Sequence, residues 1–215
     1  LLQHSFSAPG TYAVVLQVSN YTGSGAATVT MHVASSQAAT YYAAPGGGHV
    51  SPFTNWVMAA TNIQAAVDVA AVGGTIWVSN GVYDSGGAIG YPVATDTLTN
   101  RVAIHKPVTV RSVNGADVTV IKGFRASGNS AARCVYMTNG ASLIGFTLTN
   151  GTTRGEGDYE RERCGAGVWC QSTNAVVSNC VIAGNLAANG GAGALRGSLY
   201  NCVLVGTFTH GAHGS

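Results

Sequence analysis

Residues 135–151 (VYMTNGASLIGFTLTNG), 168–185 (VWCQSTNAVVSNCVIAGN) and 194–206 (ALRGSLYNCVLVG) repeat one pattern. Superposed, they place Phe146, Cys180 and Cys202 in one column and Leu148, Ile182 and Leu204 in the next. The columns recur after 34 and then 22 residues, too unequal for an array of helical hairpins, and the units are short β-branched runs separated by Asn/Gly turns. Such a unit cannot bury its apolar edge until the next lies on it, so the repeat predicts an all-β solenoid of stacked coils. Alternation along each run turns Phe146, Cys180 and Cys202, with Val135, Val168 and Ala194, toward the core. It sends Tyr136, Trp169 and Leu195 outward on a sheet face.

Ten Lys and Arg and eight Asp and Glu stand among 215 residues, against 30 Gly. So few charges leave Ser, Thr, Asn and backbone to cover the surface, which fits a secreted or surface-displayed β-protein. The net charge of +2 is scattered, with no Lys/Arg run, so the electrostatic footprint of a nucleic-acid binder is missing. No run approaches the roughly 18 consecutive apolar residues of a membrane span.

In residues 1–34, Tyr12, Val14, Leu16 and Val18 alternate along one strand and Ala27, Val29, Met31 and Val33 along another, with residues 21–25 (YTGSG) as the turn. A hairpin alone is marginally stable. His4-Ser5-Phe6 and Pro9-Gly10-Thr11-Tyr12 before the alternating run resemble the closing strands of an immunoglobulin-like PKD repeat. That resemblance implies a partial β-sandwich belonging to a longer polypeptide, whose other domains are then partners of this one.

Residues 35–48 (SSQAATYYAAPGGG) read as a linker, and the solenoid is expected over 49–215. Residues 61–71 read as its one helix: Thr61 and Gln64 form a capping-box pattern, Ile63, Val67 and Ala70 share a face, and Gly73-Gly74 stops it. A helix at this point would cover the open apolar end of the first coil.

Tyr41/Tyr42, Pro45-Gly46, Asn55-Trp56, residues 63–68 (IQAAVD), 74–78 (GTIWV), 81–83 (GVY) and 106–110 (KPVTV), in that order, resemble the opening of pectin-lyase-like proteins. The resemblance implies a right-handed parallel β-helix with an N-terminal capping α-helix, of the kind found in secreted and surface proteins of bacteria. It implies no single activity, because that superfamily holds polysaccharide lyases, glycoside hydrolases, epimerases and noncatalytic adhesins.

The outward Tyr136 and Trp169 leave two readings open: a flat apolar platform for sugar rings, or burial beneath a loop or a neighbouring domain. Trp77 would extend such a platform only from the same sheet. The densest polar stretch, residues 152–164 (TTRGEGDYERERC), holds Arg154, Arg161 and Arg163 with Glu156, Asp158, Glu160 and Glu162. Loops on rigid scaffolds are where binding is commonly placed, so Arg154, Tyr159 and Arg161 join Tyr136 and Trp169 as candidate carbohydrate contacts. The four acids are candidate Ca²⁺ ligands, since Ca²⁺ needs several converging oxygens; the competing reading is a self-neutralised, solvated loop.

Of five cysteines, Cys180 and Cys202 read as stacked buried hydrophobes, and Cys170 falls above Met137. In an oxidising compartment a Cys134–Cys164 bridge would close the charged loop. Asn150, Asn179, Asn185 and Asn201 fall at turns, where stacked Asn side chains bond successive backbones. His210 and His213 read as turn residues.

Two functions from different classes follow. One is a noncatalytic scaffold or adhesion module at the cell surface that contacts extracellular polysaccharide. The alternative is a polysaccharide lyase or glycoside hydrolase, which requires Asp and Arg/Lys from several adjacent coils to share a groove.

Overall fold

The computed structural model describes residues 10–33, 39–126 and 128–209. His4, Phe6, Pro9, His210 and His213 therefore lie outside the described residues. The chain divides into two units, Leu1–Ala38 and Ala39–Ser215.

In the first unit, strands β1 (Gly10–Asn20) and β2 (Gly23–Val33) pair antiparallel. Tyr12 faces Met31, Val14 faces Val29 and Leu16 faces Ala27, so the apolar residues do share one face. The turn is tighter than the composition of residues 21–25 indicates. Pairing runs through to Asn20 and Gly23, because the Asn20 Oδ1 accepts the Thr22 and Gly23 backbone N–H groups at 2.9 and 3.0 Å.

The second unit opens with β3 (Thr40–Ala43), inside the stretch that composition assigns to a linker, followed by helix α1 (Ile63–Val69). The chain then makes the same circuit repeatedly. Its first pass is β4 (Thr75–Val78), β5 (Gly81–Tyr83) and β6 (Thr99–Ile104). The second is β7 (Thr109–Ser112), β8 (Thr119–Lys122) and β9 (Ala132–Met137). The third is β10 (Ser142–Ile144), β11 (Thr147–Thr149) and β12 (Val168–Cys170). The fourth is β13 (Val176–Ser178), β14 (Val181–Ala183), the short β15 (Leu186–Ala187) and β16 (Ala194–Leu195). Finally come β17 (Ser198–Tyr200), β18 (Val203–Val205) and β19 (Phe208–Thr209).

Each of the first four circuits adds one parallel strand to each of three sheets; the last adds β17 and β18 to two of them, while β19 pairs with β15. The first sheet runs β3-β4-β7-β10-β13-β17, the second β5-β8-β11-β14-β18 and the third β6-β9-β12-β16. Short strands of this kind have no intrinsic stability, and register supplies it by stacking like on like. Ile76, Val110, Leu143, Val177 and Leu199 form an inward column in the first sheet, and Tyr83, Ile121, Leu148, Ile182 and Leu204 one in the second. The fold is all-β apart from α1, built of stacked parallel sheets, and among the described residues no helix is long and apolar enough to cross a membrane.

The corner between the first and second sheets explains the repeated columns. It is two residues long in the last three circuits, the first residue left-handed (Gly145, Asn179 and Asn201, φ 79°, 52° and 50°) and the second, Phe146, Cys180 or Cys202, turned inward. Asn201 Nδ2 donates to Asn179 Oδ1 at 2.6 Å, extending the stack through side chains. At the opposite corner Asn185 is buried and bonds the preceding coil: its Oδ1 accepts the Gly151 N–H at 2.8 Å and its Nδ2 donates to the Leu148 carbonyl at 2.9 Å. Gly151 itself is required there, because a Cβ would overlap the Ala166 carbonyl.

Helix α1 seals the first coil, but not through the expected capping box. Its N-cap is Asn62, whose Oδ1 accepts the Ala65 N–H at 2.9 Å, while Thr61 is bound to the His49 ring. Gln64 is thereby freed to serve the edge of the third sheet. Its Oε1 accepts the Ala103 N–H at 2.6 Å and its Nε2 donates to the Ala103 carbonyl at 3.3 Å, as a neighbouring strand would. Lys106 Nζ donates to the Asp68 and Ala70 carbonyls, both at 2.9 Å, and closes the other end of the helix.

All five cysteines are free thiols. Cys134 and Cys164 do not bridge: Cys134 Sγ donates to the Thr149 carbonyl at 3.2 Å and Cys164 Sγ to the Tyr159 carbonyl at 3.3 Å. Burial pushes the Cys134 and Cys170 thiols up to about 12 and Cys180 to about 11, so they behave as small apolar side chains. Cys170 pairs with Met137 in register.

Candidate functional site

The outer face of the third sheet carries Ala103, Tyr136, Trp169 and Leu195 in one register column. Tyr136 and Trp169 are only 3% and 2% exposed, so the aromatic pair is covered rather than offered to solvent. Two irregular segments do the covering. Residues 84–98, between β5 and β6, lay Tyr91 over Tyr136 (centroids 5.5 Å apart, 25° between planes), and Tyr91 in turn stacks on His105 at 5.2 Å. Tyr136 stacks on Trp169 at 5.7 Å, and Trp169 Nε1 donates to the Glu160 carbonyl of the charged loop at 3.1 Å. Trp77 belongs to the first sheet, beneath the Arg111 guanidinium at 4.5 Å, and so does not extend this column.

The charged loop, residues 152–164, is the second cover, and its charges hold it down. Glu162 is buried; its Oε1 accepts the Thr97 N–H (2.7 Å), the Thr97 hydroxyl (2.8 Å), the Leu98 N–H (3.1 Å) and an Arg154 N–H (3.0 Å). Burial alone raises its pKa, but the Thr97 donors, the Asp158 N–H and the Arg154 guanidinium outweigh that and hold the carboxyl below its ordinary value. Arg161 Nε lies 3.0 Å from both Asp96 oxygens and its Nη1 lies 3.0 Å from Asp158 Oδ2. Asp158 Oδ1 also accepts the Glu160 and Arg161 N–H groups, and Glu160 pairs with Arg196 at 2.6 Å.

The four candidate Ca²⁺ ligands are therefore drawn to separate partners. Glu162, Asp158 and Glu160 each face an arginine, and Glu156 is exposed without a partner among the described residues. Among the described residues no group of three or more His, Cys, Asp and Glu converges on a point that could hold a metal ion. Tyr159 is 66% exposed with the Arg163 guanidinium over its ring at 5.5 Å.

Arg133, on β9, carries no motif in the sequence, yet it organises this corner. It is fully buried and donates to the Gly165 and Cys164 carbonyls at 2.8 Å each, to Asn100 Oδ1 at 2.9 Å and to the Arg161 carbonyl. Burial lowers its pKa to about 9, which leaves it charged at neutral pH and facing the fields of Asp96 and Glu162. The only sequence signal was negative: an arginine inside an otherwise apolar strand, AARCVYM, at a position whose neighbour in register is Asn100.

Beside this corner, where the chain leaves the second sheet, lies a cleft of about 860 Å³. One wall is Arg125, Ala126, Gly128 and Asn129; the other is residues 152–156, with Leu186 and Ala188 completing the lining. Arg154 and Glu156, both sequence candidates, line it. The remaining carbohydrate candidates Tyr136, Trp169, Tyr159 and Arg161 do not, so the structure divides the predicted contacts between a buried column, the loop surface and this cleft.

Comparison of the chain with protein-family models, with curated proteins and with solved structures finds no match.

Proposed function

We propose that the chain is a right-handed parallel β-helix of the secreted or cell-surface kind, acting as a noncatalytic scaffold or adhesion module that contacts extracellular polysaccharide. The cleft between Arg125, Ala126, Gly128 and Asn129 on one side and residues 152–156 on the other carries this reading: it is a concave, partly apolar, partly basic site built by loops on a stack of rigid coils, the setting in which ligand sites are commonly formed. The stacked coils, the left-handed Gly/Asn corner and the helix over the first coil support the β-helix assignment.

A lyase or hydrolase would need acids and bases unengaged and aimed together at one bond. Here Glu162, Asp158 and Glu160 are spent on arginines and backbone N–H groups, which favours binding over cleavage. The test is a broad panel of polysaccharides in affinity electrophoresis, with reducing ends and, in the presence of Ca²⁺, absorbance of unsaturated products followed in parallel. Retardation without cleavage is expected. Polymer cleavage would establish the enzyme instead, and absence of retardation across the panel would remove the polysaccharide contact.

A further inference from the structure

Among the described residues the last circuit is stacked on one side only, with β17 and β18 at the edges of their sheets. Val203, Leu204 and Val205 are each at least 50% exposed, whereas Ile182, the register partner of Leu204, is fully buried. At the corner of this circuit Cys202 is half-buried and lies opposite the buried Cys180 of the circuit before. The flanking residues fix that match. Ser178 pairs with Tyr200 and Val181 with Val203, and the Val203 N–H donates to the Cys180 carbonyl at 2.9 Å. Neighbouring strands lie about 4.8 Å apart, and the Cα atoms of a disulfide about 4.4–6.8 Å apart, so a bridge here needs rotation of side chains and no movement of backbone. Both sulfurs lie against β13: Cys202 Sγ donates to the Val177 carbonyl at 3.5 Å and Cys180 Sγ to the Ser178 carbonyl at 3.2 Å. Burial pushes the Cys180 thiol up to about 11, and the closeness of Cys202 adds to the rise. In the third circuit the same corner position is Phe146, and Cys170 faces Met137, so neither offers such a pair.

We propose that Cys180 and Cys202 form a redox-controlled pair, which a peroxide converts into a disulfide that staples the last circuit to the one before it. Opening of this least buried circuit brings Cys202 to solvent first. Its sulfur attacks one oxygen of the peroxide, the O–O bond breaks, and water leaves as Cys202 becomes a sulfenic acid. The Cys180 sulfur, giving up its proton, then attacks the Cys202 sulfur; the S–O bond breaks and a second water leaves. Two thiols and one hydrogen peroxide thus give one disulfide and two waters. Such a bond persists in an oxidising compartment, the setting proposed above for this chain. The staple acts on the scaffold and leaves the cleft as it is, so its test is separate from that of polysaccharide binding.

The test is to expose the reduced whole chain to hydrogen peroxide, digest it without reductant and map its peptides by mass spectrometry. A bond between Cys180 and Cys202 is expected, with a loss of two hydrogens that dithiothreitol restores. Oxidation should slow amide exchange across Ser198–Tyr200 and Val203–Val205 by about tenfold or more and leave the first three circuits unchanged. Cys202→Ala, at a half-buried position where a small apolar side chain fits, should keep the exchange pattern of the first three circuits and lose both effects of peroxide. Cys202 stopping at a sulfinic acid, a disulfide between two chains, both thiols still open to alkylation after peroxide, or unchanged exchange in the oxidised last circuit would overturn the proposal.

Discussion

The Glu162 carboxylate accepts both the backbone N–H and the hydroxyl of Thr97, at 2.7 and 2.8 Å, across 65 positions of sequence. This contact joins the two irregular segments that cover the Tyr136–Trp169 stack, and it places a single ionisable group at the joint.

Because its pKa is lowered on folding, Glu162 adds stability that is present above its unfolded value, near 4.5, and is lost as pH falls through the folded value. Urea unfolding measured from about pH 6 down to about pH 3 should show stability declining in that range. Glu162→Gln should cost about 1–3 kcal/mol at neutral pH and flatten the acid limb. An unchanged acid limb in the variant would show that Glu162 is not the joint.

The covered aromatic column makes a second expectation. Trp169→Ala should destabilise the fold by about 3–5 kcal/mol, as loss of a buried aromatic does. Polysaccharide retention per folded molecule should stay the same, because the ring is not at the cleft. Retention lost while thermal unfolding is unaffected would restore Trp169 to the binding surface.

Gln64 and Ala103 give a third. Removing the amide in Gln64→Ala leaves the Ala103 N–H at the sheet edge without its partner, while the carbonyl keeps the His105 ring at 3.2 Å, at a cost of about 1–3 kcal/mol. Hydrogen exchange should accelerate first at Ala103 and in β6. Acceleration confined to α1 would mean that Gln64 supports only its own helix.

The coils were readable in advance because their physical requirement is repeated: each circuit needs an inward apolar residue at the same phase and a left-handed residue at the same corner, and Phe146/Cys180/Cys202 and Gly145/Asn179/Asn201 write both into the chain. The helix was readable as a helix, but its cap was not, since Thr61 and Asn62 are both good caps and the choice was made by His49, twelve residues away. Burial beneath a loop was one of the two readings open for Tyr136 and Trp169, but which segments do the covering was not readable. Residues 84–98 have no periodicity, and whether outward Tyr136 and Trp169 meet water depends on where Tyr91 and the charged loop come to lie. The same holds for the cleft: Arg125 and residues 152–156 are ordinary in sequence, and only folding brings them to the walls of one hollow.

The central claim is that a rigid stack of coils presents one polysaccharide-binding cleft, and hydrogen exchange of the whole chain with and without a polysaccharide panel tests it most directly. The account predicts that at least one polymer slows exchange at Arg125, Ala126, Gly128, Asn129 and residues 152–156 while the three sheets remain as protected as before. No slowing with any polymer, or slowing confined to another face such as that of Trp77 and Arg111, would contradict it.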